Sequence, residues 1–178
     1  QRLLPYHDEL KKAGACFGQS GEYERPMWYG LDKKESEYKY SFDYQNWYPS
    51  VEFETKNTIK NVGLYELSPF SKYEIKGNLT HSELQRLCTA NITDELVCLG
   101  IFGPKSRDLI SKISKDDFTN ETFKFGNGKF VNIGSKKVWV QRLSYVGELG
   151  FEIYIENKDA KEVYQLILQE GKNFNLSH

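Results

Sequence analysis

Apolar and polar residues alternate most clearly near the end of the chain. Val138, Val140, Leu143 and Tyr145 lead into the sequence Val146-Gly-Glu-Leu-Gly150. Beyond it, Phe151, Ile153 and Ile155 alternate with Glu152, Tyr154 and Glu156, which is the period of a half-buried strand. The pattern predicts two strands joined by a tight turn at residues 147–150, where two glycines open backbone angles closed to other residues. Residues 129–133 and 136–145 read as strands paired across Gly134-Ser135. The unbroken apolar run 96–102 suits a central strand buried on both faces. Residues 62–68 and 72–76 read as further strands. Residues 116–129 form a polar, glycine-containing loop, with Phe118, Phe123 and Phe125 as its anchors.

Helical spacing appears in five places. Residues 1–14 suggest a short amphipathic helix, with Pro5 near its start, Leu10 and Ala13 on one face and Gly14 as its stop. Residues 49–61 read as a helix. Thr80 and Glu83 make a capping box ahead of the stripe Leu84, Leu87 and Cys88. Gly103 and Pro104 open a helix that carries Leu109, Ile110 and Ile113. The last helix covers 158–170, capped by Asn157, lined by Ala160, Val163, Leu166 and Ile167, and ended by Gly171. Residues 15–30 hold glycines, Pro26 and dense aromatics and read as ordered but irregular, with Trp28 and Tyr29 in packing roles. Residues 32–46 read as a surface loop. The fold class expected is α+β: a mostly antiparallel sheet with helices packed on it, plus a small irregular N-terminal unit.

Composition narrows the function. The chain has 178 residues and a net charge of −1, so no global field favours nucleic acid or an anionic membrane. Aromatics make up 15% of it, which speaks for a packed protein. No apolar run approaches membrane-spanning length. Cys16, Cys88 and Cys98 are odd in number and lack metal-ligand spacing, so no metal site is expected, and the count argues for a reducing compartment. Four Asn-x-Ser/Thr triplets are what a Lys- and Asn-rich chain produces by chance. The scattered histidines and cysteines give no nucleophile–base spacing, and no G-x-G-x-x-G follows a strand.

Glu148 stands out by its place in the turn. An ionised carboxylate offers two coplanar acceptors and suits a flat partner with two adjacent N–H donors, either an arginine fork or a heterocycle edge. The other reading of such a residue is a solvated turn carboxylate.

Tyr145-Val-Gly-Glu-Leu-Gly-Phe-Glu152 resembles the Y-x-G-E-x-G-x-E motif of the aminomethyltransferase (glycine-cleavage T-protein) family. With Ser144 in front, it is most similar to the folate-binding part of dimethylglycine and sarcosine dehydrogenases. The stretches Gly14-Ala-Cys-Phe-Gly18, Tyr23-Glu-Arg-Pro-Met-Trp-Tyr29, Asn61-Val-Gly-Leu-Tyr-Glu-Leu-Ser68, Leu87-Cys-Thr-Ala-Asn-Ile92 and Gly103-Pro-Lys-Ser-Arg-Asp-Leu-Ile110 extend the likeness over nearly the whole chain. It implies that residues 1–50 are the linker region of dimethylglycine dehydrogenase-like proteins and residues 51–178 an incomplete folate-binding domain. It also implies that Glu148 binds the pterin ring of tetrahydrofolate, that Tyr145 lines the pocket, and that a one-carbon unit passes from a methylated amine to tetrahydrofolate. FAD would belong to an upstream domain. The implied partners are folate and a flavin dehydrogenase domain or larger complex, in the mitochondrial matrix or a bacterial cytoplasm.

One departure bears on activity. After the helix ending near Ile92, the family has a substantial segment carrying the aspartate assigned to catalysis. Here residues 91–95 run straight into the 96–102 strand, and Asp94 lacks that context. No catalytic residue is assigned. Either residues are missing from this sequence or the protein has lost this part. In the second case the fold would serve as a non-catalytic structural or regulatory subunit.

Overall fold

A computed structural model describes residues 2–20, 23–34, 37–69 and 96–178. The predicted strand at 72–76 and helix from Thr80, with His81, Cys88 and Asp94, lie outside the described residues. The first elements are helix α1 (His7–Lys12), strands β1 (Ala15–Ser20) and β2 (Tyr23–Tyr29), helix α2 (Tyr48–Lys60) and strand β3 (Val62–Glu66). Then come β4 (Leu96–Phe102), α3 (Ser106–Ile113), β5 (Gly128–Ile133) and β6 (Lys136–Gln141). The chain closes with β7 (Gly150–Glu156), α4 (Asn157–Gly171), a 3-10 turn Lys172–Phe174 and the short β8 (Leu176–Ser177).

Among the described residues six strands form one sheet in the order β5-β6-β7-β4-β3-β8. Its pairs are antiparallel except β3 with β8. This is the α+β architecture expected. β4 lies between β7 and β3, so the apolar run from Val97 to Phe102 is buried on both sides. Register pairs Leu99 with Ile153 and Ile101 with Phe151, which puts these side chains on one face. Leu109, Ile110 and Ile113 of α3 and Ala160, Val163 and Ile167 of α4 join the same core, nearly all of it closed to solvent. Fully burying one such aliphatic chain stabilises the fold by about 1.5–3 kcal/mol.

Several expectations need correction. Residues 15–20 and 23–29 are antiparallel strands in their own two-stranded sheet, with the register shifting between Cys16 and Phe17, and Pro26 is tolerated because that ribbon is all edge. β6 ends at Gln141, so Leu143 and Tyr145 are not strand residues, and the connection to β7 is an eight-residue loop, 142–149, in place of a tight turn. Phe125 is 69% exposed and anchors nothing, whereas Phe118 and Phe123 pack edge-on at 5.7 Å and are buried. Asn157 is the first residue of α4; the capping position is Glu156, which makes no side-chain cap. Tyr164 is also buried on α4, while Leu166 is only partly so.

The hairpin is tied to the rest by specific contacts. Tyr29 N–H donates to Glu54 Oε1 of α2 at 3.0 Å. Its ring stacks on His178 at 4.5 Å, and His178 Nε2 lies 2.7 Å from the Tyr164 hydroxyl. Tyr6 stacks flat on Tyr164 at 4.8 Å.

Candidate functional site

The 142–149 loop is held at both ends and open in the middle. At its start, Arg142 N–H donates to Asn127 O at 2.8 Å, and Gly126 N–H donates to Arg142 O at 2.9 Å. These bonds continue the β5–β6 pairing beyond the strands. At its end, Leu149 O accepts from Gly103 N–H at 2.8 Å and from the Ser106 hydroxyl at 3.1 Å. The start of α3 therefore clamps the residue next to Glu148. That clamp depends on Gly103, which has φ +123° and lies so close to α2 that a Cβ would stand 2.3 Å from Asn61 O. Gly150 sits equally tightly, with a Cβ position 2.1 Å from the Phe102 ring.

The middle of the loop faces outward. Tyr145 is 79% exposed. Gly147 takes φ +76° with nothing within 4 Å of a built Cβ, so another molecule can approach its backbone. Glu148 is half-buried, and among the described residues it has no hydrogen bond or ion pair. Among the described residues no arginine locks it, which leaves both oxygens able to accept. The structure thus brings Glu148 and Tyr145 together on one restrained loop. A cavity of about 270 Å³ opens elsewhere, lined by Arg2, Leu3, Leu4, Pro5, Tyr23, Val97 and Asn157; it includes neither residue.

Two residues that the sequence showed only as the polar positions of an alternating strand take part in a buried contact. Glu152 is 3% exposed, and the Tyr154 hydroxyl donates to its carboxylate. Burial, then the hydrogen bond to Glu152, raises the Tyr154 pKa well above the ordinary phenol range, and Tyr145 is near enough to add to the effect. The alternation had placed Glu152 and Tyr154 opposite Phe151 and Ile153. Burial of that polar face comes from tertiary structure, where Glu152 pairs with Gly100 and Tyr154 with Cys98.

A mostly antiparallel sheet with helices packed on it is the architecture of an aminomethyltransferase-like domain. The chain belongs to the GCVT N-terminal domain family, whose model matches residues 6–95 and 89–178. It is 27% identical to 4-methylaminobutanoate oxidase (formaldehyde-forming) of Paenarthrobacter nicotinovorans, over 98% of this chain and 29% of that protein. It is also 27% identical to the mitochondrial dimethylglycine dehydrogenase of Mus musculus, over 97% of this chain and 27% of that protein. An aminomethyltransferase of Caldanaerobacter subterraneus is 30% identical over 78% of this chain and 32% of its own length. The crystal structure of glycine cleavage system aminomethyltransferase T from Bartonella henselae shares the fold, with a TM-score of 0.65 at 16% identity, covering 99% of this chain and 58% of that one.

The chain spans under a third of the length of these curated relatives. The two family matches meet at residues 89–95. The alignment with the Paenarthrobacter protein takes 238 positions for 98% of a 178-residue chain, which leaves roughly 60 positions of that protein without a counterpart here.

Proposed function

We propose that this chain is a tetrahydrofolate-binding domain that takes part in moving a one-carbon unit from a methylated amine to tetrahydrofolate. The observation that carries the reading is Glu148: a half-buried carboxylate with no partner among the described residues, on a loop fixed at both ends. Its two acceptors fit the amino-pyrimidinone edge of a pterin, and Tyr145 forms a wall beside that edge. When bound, tetrahydrofolate supplies the nucleophilic nitrogen that captures the carbon. The protein's part is placement, and holding two reactants in a near-attack geometry supplies much of the rate. The clamp from Gly103 and Ser106 onto Leu149 O limits the freedom lost on binding.

Residues 1–50 serve in this reading as the joining segment and 51–178 as the folate-binding domain. The separate sheet of β1 and β2 supports two units, since among the described residues the large sheet draws on residues from Val62 onward, with α2 (Tyr48–Lys60) spanning the join. The oxidised carbon comes from a flavin dehydrogenase domain or subunit that holds FAD, in the mitochondrial matrix or a bacterial cytoplasm.

The test is a fluorescence titration of the chain with tetrahydrofolate. Glu148→Gln keeps the shape but removes the charge and one acceptor. Loss of charge-assisted hydrogen bonds worth about 1.5–3 kcal/mol weakens affinity by roughly 10- to 100-fold. Equal affinity in the variant and the parent contradicts the assignment.

A further inference from the structure

Arg107, on the first turn of α3, donates from Nη2 to Asn120 Oδ1 at 2.6 Å. Arg142, the first residue after β6, donates from Nη1 to Phe123 O at 2.8 Å. Residues 119–123 form one helical turn, closed by Phe123 N–H to Thr119 O at 2.9 Å. Positions three apart on such a turn are neighbours. Both guanidinium groups therefore reach the same turn.

Neither arginine has an acidic partner among the described residues, and each spends its donors on one neutral acceptor. Both side chains are half-buried, and each Nε is buried without a partner. Burial first, then the charge of Arg107, lowers the proton affinity of Arg142, so the two cations feel each other. Lys136 makes the contrast: it lies 2.9 Å from Asp159 and 3.0 Å from Glu162. Two guanidinium groups that reach one turn, with no acidic partner among the described residues, repel, and an anion shared between their planar forks removes the repulsion while filling their spare donors.

We infer that Arg107 and Arg142 form an anion seat at the foot of the 142–149 loop, taking a carboxylate or a small oxyanion. The chemistry is the same whether the anion is free phosphate or sulfate, or the glutamate carboxylates of a pteroylglutamate. The seat stands on the arginines alone and does not require Glu148 to hold a pterin.

The experiment is thermal unfolding of the full chain at constant ionic strength, replacing chloride stepwise by sulfate, phosphate or glutarate. The melting temperature rises with at least one of these anions and not with chloride. Arg107→Gln and Arg142→Gln each weaken that response at least tenfold. Glu148→Gln keeps the parental response, which separates this seat from the pterin reading. The Lys variants at both positions retain charge without the fork and bind with intermediate strength, which covers the case in which a Gln variant does not fold. Comparing pteroylglutamate with pteroic acid, which lacks the glutamate, identifies the source. Weakening of only the former by Arg107→Gln assigns the seat to the tail, and equal binding of both, with the sulfate response intact in the parent, assigns it to a free oxyanion. A parent protein that responds to sulfate, phosphate and glutarate no more than to chloride, or Gln variants with an undiminished response, overturns the inference.

Discussion

Replacing Glu54 by glutamine isolates a charge that the fold buries where the hairpin meets α2. Glu54 accepts the Tyr29 N–H at 3.0 Å, yet burial outweighs this bond and raises its carboxyl from the ordinary 4.5 to about 7. Below pH 4.5 the group is protonated in both the folded and unfolded states and contributes nothing. Between 4.5 and 7 the unfolded chain has released its proton while the folded one keeps it. The unfolded state then binds fewer protons, so stability falls as pH rises, and the loss is complete above about 7. A shift of this size corresponds to at most about 3 kcal/mol. Glu54 is half-exposed, and solvent screening reduces the figure to roughly 1–2 kcal/mol. His178 works the other way. Burial, then the charge of Lys33, lowers its pKa from 6.5 to about 4, so the unfolded state takes up a proton first and stability rises with pH across that window. The two slopes oppose each other between pH 4.5 and 6.5, and the parent protein is expected to be less sensitive to pH there than His178 alone would make it. In Glu54→Gln only the His178 slope remains, and the amide oxygen still accepts from Tyr29. Urea unfolding between pH 4.5 and 8 is the assay. With a slope of about 2 kcal/mol per molar, the variant's midpoint at pH 8 lies about 0.5–1 M above the parent's, while the two coincide near pH 4.5. Parallel curves for variant and parent across the whole range would refute the reasoning.

Two other substitutions test the frame of the site. Gly103→Ala puts a Cβ at φ +123° against the backbone oxygen of Asn61, which cannot swing aside, so destabilisation of about 2 kcal/mol or more is expected in urea unfolding, with tetrahydrofolate affinity falling as the Leu149 clamp loosens. Tyr154→Phe leaves the buried Glu152 carboxylate without its phenol donor and costs about 1–3 kcal/mol, measurable by the same method; an unchanged midpoint would show that the hydrogen bond contributes no net stability.

Much of the fold follows from local pattern. The run from Leu96 to Phe102, the helical stripes of α3 and α4 and the alternation beyond Gly150 each carry their own period, and each element formed near where its period lies. Local rules misjudged the hairpin β1–β2, because Pro26 and the glycines read as punctuation until two edge strands paired in space. They also misjudged the connection after Gln141. Gly147 and Gly150 look like the ends of a tight turn, but Gly150 is glycine because Phe102, from a strand far away in sequence, lies against it.

What the sequence determined by itself is most of the strands and helices of the large sheet, the α+β class and the choice of the half-buried acid Glu148 as the candidate, because periodicity and motif are local properties of the chain. What only the tertiary structure decided is how that acid is held: the clamp from Gly103 and Ser106, the buried Glu152–Tyr154 pair beneath the sheet surface, and the convergence of Arg107 and Arg142 on one turn. The clamp and the arginine turn join residues distant along the chain through hydrogen bonds that come into being only when the sheet assembles, and Glu152 and Tyr154, though only two residues apart, lose solvent only once β4 pairs beside them.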